Sequence, residues 1–144
     1  MPEAILGRIA KRRGVRQFAK FAIVGSSGFV VNLIVFTALQ QLLLHSAAER
    51  RHWYFVLFSI GFLTGGLSNY VLNRIWTFRS SGHPAREGAQ FLSVSVVALA
   101  VGLLVSYVGA PILGRGHALW FVSTLAGTFV NFFFNKYWTF RSVL

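Results

Sequence analysis

The amino-acid sequence predicts an all-α membrane protein, with four transmembrane helices arranged as two tandem helical hairpins of the same orientation. Three observations lead to this fold. The 144 residues are 55% hydrophobic and only 12% charged, which is too apolar for a soluble domain of this size. Four apolar stretches, at about residues 21–44, 53–78, 91–113 and 118–140, each exceed the roughly 18 residues that cross a bilayer core. Part of the second stretch also returns almost intact in the fourth.

This internal repeat joins residues 69–80 to residues 131–142 at an offset of 62, with seven of twelve positions identical. The first and third stretches match more loosely, at an offset of 70. Because each copy contains two crossings, both copies enter the membrane in the same direction, and an axis along the membrane normal should relate them. We expect Asn69 to take the place of Asn131, and Arg74 that of Lys136.

The first helix follows a basic segment, residues 1–20, which we separate from the transmembrane domain of residues 21–144. Residues 4–20 mix apolar side chains with six cations, as in a helix lying on an anionic membrane surface. Gly14 interrupts this pattern, and a charge cluster that only sets topology accounts for it equally well. The apolar stretch is longer than a signal-peptide core of about 7–15 residues, so we retain it as a transmembrane helix.

Aromatic residues mark both ends of the second helix. Trp53 and Trp76 lie about 34 Å apart along a helix axis, which fits aromatic belts at the two membrane surfaces. The repeated Trp-Thr-Phe-Arg ends therefore predict interfacial anchors, namely Trp76 and Arg79 in the first copy and Trp138 and Arg141 in the second.

The third helix carries small residues at every fourth position from Ala98 to Gly114. Small residues let helices approach closely in lipid, so this pattern predicts a compact bundle. The expected connections are residues 45–52 and 114–117 on one side of the membrane and residues 79–90 on the other.

Positive charge is concentrated on one side of this arrangement. The chain has 14 Lys and Arg residues against 3 Asp and Glu residues. Eleven of the cations fall on the side of both termini and three on the opposite side. The positive-inside rule therefore predicts cytoplasmic termini, and a charge distribution set by topology argues against nucleic acid as a partner.

Amide side chains recur in steps of four along the second and fourth helices. Since such steps drift about 40° around an α-helix, each set forms a slowly winding stripe. An amide in hydrocarbon is costly unless it is hydrogen-bonded. The amides therefore either join helices, the stronger interpretation for the single Asn32, or bind a polar ligand. The neighbouring cations Arg74 and Lys136 favour an anionic, phosphate-bearing headgroup. The candidate ligand-binding residues are Asn32, Asn69, Asn73, Arg74, Thr77, Asn131, Asn135, Lys136 and Thr139.

The sequence lacks the residue types that several membrane-protein functions require. There is no Asp and no Cys, and Glu3, Glu49 and Glu87 fall outside the predicted spans. A proton-driven exporter needs an intramembrane carboxylate, and a nucleotide-sugar transferase needs carboxylates for its metal ion. The four His residues are scattered, and no phosphate-binding loop is present. We therefore expect no enzyme activity, no cofactor and no metal.

The doubled motif resembles a known family. Gln17-Phe-x-x-Phe21-x-x-x-Gly25, Asn32 and the doubled Asn-x-x-Phe/Leu-Asn-Arg/Lys-x-Trp-Thr-Phe are similar to the GtrA-like family over roughly residues 17–142. The resemblance implies a four-helix protein of the bacterial inner membrane, often associated with polyprenyl-phosphate glycosyltransferases. Members are proposed to move a monosaccharide on polyprenyl phosphate to the outer leaflet for cell-surface polysaccharide synthesis.

Three functions remain open at the level of the sequence. The first is a flippase for a polyprenyl-phosphate sugar, acting as a homo-oligomer because four close-packed helices hardly enclose a hexose phosphate. The second is a membrane subunit without transport activity, which docks a glycosyltransferase through its basic face and presents the lipid acceptor. The third, a small cation exporter, is disfavoured by the missing intramembrane acid.

Overall fold

The structure is a computed structural model that describes residues 2–139, with their side chains except for several residues before Ala19. Four helices are long and apolar enough to cross a membrane, and the described range contains no strand. The prediction of an all-α protein with four transmembrane helices is therefore confirmed. The elements are α1 (Pro2–Leu43), α2 (Ala47–His52), α3 (Tyr54–Leu72), a π-helical segment (Asn73–Thr77), α4 (Pro84–Leu113), α5 (His117–Phe134) and a second π-helical segment (Asn135–Thr139).

The first helix is longer than the sequence predicts. α1 runs without a break for 42 residues, about 63 Å, and only Ala19–Leu43 has the composition of a membrane span. The basic segment continues the same helix through Gly14, and Arg8, Arg12 and Arg16 are exposed along it. A glycine inside a helix costs only about 1 kcal/mol, so it does not end a helix that the long apolar part already stabilises.

The first connection contains a short helix, α2, where a loop was expected. Ser46 caps this helix, because its hydroxyl accepts a hydrogen bond from the Glu49 backbone N–H at 3.1 Å. The Glu49 carboxylate accepts in return from the backbone N–H groups of His45 at 2.7 Å and Ser46 at 3.0 Å. These two bonds favour the ionised carboxylate and lower the pKa of Glu49.

The second connection is shorter than expected, because α4 begins at Pro84 instead of about residue 91. Pro84 suits the first turn of a helix, where its missing N–H leaves no bond unmade. The expectation that Glu87 lies in a loop is wrong, since it is buried in the first turn of α4. The chain turns just before this helix through Arg79, which has a positive φ of 47°.

The helices pack mainly in two pairs, α1 against α3 and α4 against α5, and α3 also contacts α4. A Cβ atom added to Gly65 would lie 2.4 Å from the carbonyl oxygen of Gly28. In the second pair, a Cβ on Gly127 would lie 2.8 Å from the carbonyl oxygen of Ala98. The two glycines are 62 residues apart and the two carbonyls 70 apart, the offsets of the sequence repeat. The relation of the two pairs by an axis along the membrane normal stays a prediction.

An aromatic core holds the two pairs together. Phe36, Tyr54, Phe58 and Trp120 are buried in one cluster with neighbours from α1, α3, α4 and α5. A smaller cluster, Phe78 and Phe91, lies at the end of the bundle that carries the repeated motif. This end, marked by Trp76 and Trp138, is named the motif end below, and the opposite end, which carries α2, is the distal end.

Candidate functional site

Most of the residues predicted to bind a ligand are inside the bundle. Six are buried, and Asn69, Arg74 and Lys136 are partly buried. The predicted anchors Trp76, Arg79 and Trp138 are exposed, as anchors at a membrane surface would be, and Arg141 lies outside the described residues. The buried residues are Asn32, Asn73, Thr77, Asn131, Asn135 and Thr139.

The two polar stripes end in π-helical segments at matching positions, Asn73–Thr77 and Asn135–Thr139. In the first segment the Phe78 N–H donates to the carbonyl of Asn73 at 2.9 Å, an i→i+5 bond. Such a turn winds less per residue than an α-helix, so steps of four drift less around the axis than the sequence-based estimate. π-type turns occur at helix C-termini, and the two segments follow directly on α3 and α5, so the repeated motif has the same local structure in both copies.

Asn131, Asn135 and Thr139, named here the second ladder, are joined by a continuous chain of hydrogen bonds. Thr139 donates to the Asn135 side-chain oxygen at 2.6 Å. The Asn135 amide donates in turn to the backbone and side-chain oxygens of Asn131, both at 2.9 Å. Ser95 of α4 donates to the same Asn131 side chain at 3.2 Å. The second ladder therefore meets its own hydrogen-bonding needs and ties α5 to α4.

Asn69, Asn73 and Thr77, named here the first ladder, have the same residue types but no such chain. Asn69 Oδ1, Asn73 Oδ1 and Thr77 Oγ1 are buried, and none has a hydrogen-bond partner among the described residues. Asn73 and Thr77 are only 1% and 5% exposed. Polar groups buried away from water nearly always have partners in native proteins, so three orphaned oxygens in consecutive steps of one stripe call for an explanation.

Asn32 lies in the middle of α1, and both the oxygen and the nitrogen of its side-chain amide form hydrogen bonds. Its side-chain oxygen accepts from the Trp120 indole N–H at 3.2 Å, and its amide nitrogen donates to Thr124 at 3.4 Å. Both partners are on α5. These bonds fit the structural interpretation of Asn32, which the sequence favoured for this residue.

A small polar cavity lies among α1, α3 and α5. Its polar lining comes from Asn32, Asn69, Asn131, Thr124 and Thr128, and its volume is about 10 Å³. This is about the space that one water molecule needs. A hexose requires far more room, so binding one here demands that the helices move apart.

A much larger apolar groove opens between α1 and α5, on the half of the bundle nearer the motif end. Its volume is about 870 Å³, and its walls are mostly aromatic and small residues, including Phe21, Gly25, Phe129 and Phe132. Phe29 lines both the groove and the polar cavity. Thr128 also lines both. An apolar chain in the groove would therefore have its polar end beside the amides.

At the motif end Arg74 is held by an acid that the sequence did not assign to any site. Its guanidinium forms an ion pair with the Glu87 carboxylate and donates to the Gly82 carbonyl at 2.9 Å. Ser80 donates to the other oxygen of the same carboxylate. Arg74 therefore braces the connection between α3 and α4, and its charge is already balanced in this structure.

Lys136, the counterpart of Arg74, has no ion pair within the described residues, and its ammonium lies 5.1 Å from the Tyr137 ring centre. A pocket of about 200 Å³ opens nearby, between the start of α4 and the end of the second π-helical segment. It is lined by Gly82, His83, Arg86, Glu87, Gln90, Trp138 and Thr139. The pocket joins cationic and amide side chains at the motif end, beside one end of the second ladder.

Some contributing residues were missed at the level of the sequence. Thr124 and Thr128 lie four residues apart on α5, the same spacing as the amides, so a search for hydroxyl residues in steps of four would have found them. Ser95 is a single hydroxyl residue in an apolar part of α4, and its spacing gives no such signal. Glu87 carried a readable signal, because it is the acid nearest in sequence to the motif cation Arg74. A helix start at Pro84 would have predicted its position in the bundle.

Comparison with known proteins shows which family the chain matches. The family model described as the GtrA/DPMS transmembrane domain matches residues 20–140. No curated protein and no solved structure matches the chain. The match covers the first copy of the repeat, residues 131–140 of the second, and all but the first residue of the four spans.

Proposed function

The chain belongs to the family of the GtrA/DPMS transmembrane domain, and from this premise we propose that it moves a polyprenyl-phosphate-linked monosaccharide across a membrane. In this proposal the lipid enters from the cytoplasmic leaflet of a bacterial inner membrane. The sugar then serves cell-surface polysaccharide synthesis. The protein acts as a translocator and changes no covalent bond.

The observation that carries the proposal is the apolar groove between α1 and α5 next to the polar cavity. Polyprenyl chains are branched hydrocarbons, and a groove with aromatic walls offers them packing contacts at little desolvation cost. The groove and the cavity share Phe29 and Thr128. A lipid with its tail in the groove can therefore present its headgroup to the amides without the tail leaving hydrocarbon.

The charges at the motif end support the entry step. A phosphodiester carries one negative charge, and a cation at the membrane surface binds it most strongly when no protein carboxylate competes. Lys136 meets this condition better than Arg74, which already pairs with Glu87. We therefore assign the first phosphate contact to Lys136 and a bracing role to Arg74.

The α1–α5 seam is the best candidate for the opening that a sugar requires. The main packing surface of α1 is α3, and that of α5 is α4. Parting α1 from α5 breaks the two bonds of Asn32 and the hydrogen bond between Thr37 and His117. It also breaks ring contacts that Phe21, Phe29 and Phe36 make with α5. With no coupled ion or nucleotide in the proposal, net movement follows the supply and consumption of the lipid.

The test is reconstitution of purified protein in liposomes with a labelled polyprenyl-phosphate sugar, measuring label that becomes accessible on the opposite leaflet. Gly25 lines the groove, and a Cβ added there meets nothing within 4 Å. Gly25→Phe should therefore fill the groove without breaking a contact and lower the translocation rate about tenfold or more. Ala100→Phe places the same ring on an exposed position of α4 and serves as the matched control.

The outcomes of this assay distinguish the flippase from the docking subunit. Translocation by the wild type that is lost in Gly25→Phe and kept in Ala100→Phe supports the proposal. Equal rates in both variants would remove the groove from the mechanism. Failure of the wild type to move the lipid, together with binding of a polyprenyl-phosphate glycosyltransferase, would favour the docking subunit over the flippase.

A further inference from the structure

The two copies of the repeat carry the same polar residues but differ in whether those residues are satisfied. We propose that the first ladder, Asn69, Asn73 and Thr77, binds the hydroxyl groups of the sugar headgroup, whereas the second ladder only braces the bundle. The inference rests on the proposed function and refines it, because it assigns the sugar-binding role to one copy. It also reassigns Asn131, Asn135 and Thr139, which the sequence placed among the ligand residues.

The hydrogen-bond pattern is the first step of the argument. In the second ladder Asn135 has its amide nitrogen on Asn131 and its oxygen on Thr139. In the first ladder the corresponding oxygens of Asn73 and Thr77 are buried without a partner. Residue spacing and residue types match between the two ladders. The sequence would therefore allow the first ladder to form the same series of hydrogen bonds as the second. The first copy therefore has buried acceptors with no protein partner among the described residues.

The chemistry of the unpaired atoms limits the ligand. Two of them are amide oxygens, which only accept hydrogen bonds, and the third is a hydroxyl, which donates and accepts. A phosphodiester at neutral pH offers acceptors only, so it cannot satisfy Asn69 Oδ1 or Asn73 Oδ1. Sugar hydroxyls donate and accept. The unpaired oxygens of the first ladder therefore match the glycosyl part of the lipid better than its phosphate.

The position of the first ladder connects the membrane surface to the interior. Thr77 lies at the motif end, and Asn69 lines the central polar cavity. Steps of four residues along a helix are about 6 Å apart. A headgroup with several hydroxyls can thus stay hydrogen-bonded to one residue of the ladder while another hydroxyl bonds to the next residue. It need not lose all its hydrogen bonds at once. The three side chains thus form a polar line along α3, and because Asn73 and Thr77 are buried, the sugar reaches them only when the helices part.

The repeat supplies matched variants for the test. Asn73→Leu removes an unsatisfied acceptor, so the thermal unfolding midpoint of purified protein in detergent should stay the same or rise. Asn135→Leu removes the bonds that link Asn131, Asn135 and Thr139, so its midpoint should fall. Thr77→Val and Thr139→Val form a second pair of nearly unchanged volume, with the same expected contrast.

Ligand binding is measured as the rise in midpoint on adding a polyprenyl-phosphate sugar, compared with the same polyprenyl phosphate lacking the sugar. The wild type should show an extra rise from the sugar. Asn73→Leu and Thr77→Val should lose that extra rise and bind the sugar lipid about tenfold more weakly, while they keep the response to polyprenyl phosphate. Sodium and potassium chloride serve as further probes, because two neighbouring oxygens of the ladder can also contact a monovalent cation.

The outcomes separate this inference from the proposed function. Equal destabilisation by Asn73→Leu and Asn135→Leu, or a cation-dependent rise that replaces the sugar-dependent one, would overturn the inference. Normal sugar response in both Asn73→Leu and Thr77→Val would overturn it too. A sugar response that these variants lose, in a wild type that does not translocate, would support the inference and refute the flippase.

Discussion

The close approach of the α1 and α3 backbones at Gly28 and Gly65 makes a quantitative prediction. Gly65→Ala adds a Cβ atom 2.4 Å from the Gly28 carbonyl oxygen, where ordinary contact begins at 3.4 Å. The obstacle is backbone, which cannot rotate away as a side chain can, so α1 and α3 must separate by up to about 1 Å. The neighbouring Gly66 offers a matched control, because a Cβ there lies 3.7 Å from Ser95 Oγ, an ordinary contact.

The two substitutions should change the free energy of unfolding in opposite directions. Overpacking of this kind costs about 1–3 kcal/mol, and exchanging glycine for alanine in a helix returns about 1 kcal/mol. We expect Gly65→Ala to destabilise the protein by up to about 2 kcal/mol. Gly66→Ala should stabilise it by up to about 1 kcal/mol, so the two variants should differ by about 1–3 kcal/mol.

Tryptophan fluorescence during reversible unfolding in mixed detergent micelles measures this difference. Trp120 is 3% exposed, whereas Trp53, Trp76 and Trp138 are exposed in the folded protein, so the signal reports mainly on the core. A Gly65→Ala variant as stable as Gly66→Ala would mean that α1 and α3 do not approach as described. It would also remove the structural basis for equating Gly65 with Gly127.

Two further predictions concern the motif end. Removing either partner of the Arg74–Glu87 pair, whose side chains are 17% and 7% exposed, should cost about 2–3 kcal/mol, between the values for exposed and fully buried pairs. The double change to Met should cost less than the sum of both single changes in the same unfolding assay; simple additivity would contradict the pairing. Single cysteines at Ser81 and Ala47 should react with an impermeant maleimide from opposite sides of the membrane, with Ser81 cytoplasmic, and labelling from one side alone would refute this topology.

The sequence predicted the transmembrane helices well because the signal is local. A run of about 20 apolar residues specifies a spanning helix whatever its neighbours are. The same reasoning failed at α4, where polar residues such as Arg86 and Glu87 hid a helix start that Pro84 marked. It also underestimated the length of α1, because Gly14 was expected to interrupt the helix. The long helix around Gly14 offsets the cost of one glycine.

The sequence by itself determined four crossings, a duplicated motif and the buried polar residue types, because hydropathy and repetition are properties of the chain alone. Only the tertiary structure decided which amides are satisfied, that Arg74 pairs with Glu87, and that a groove opens between α1 and α5. Those features depend on side-chain rotamers and on atoms from helices far apart in sequence. Asn73 and Asn135 illustrate the difference: one motif places both in a π-helical turn, but among the described residues the side-chain oxygen of Asn73 has no partner, whereas that of Asn135 accepts from Thr139.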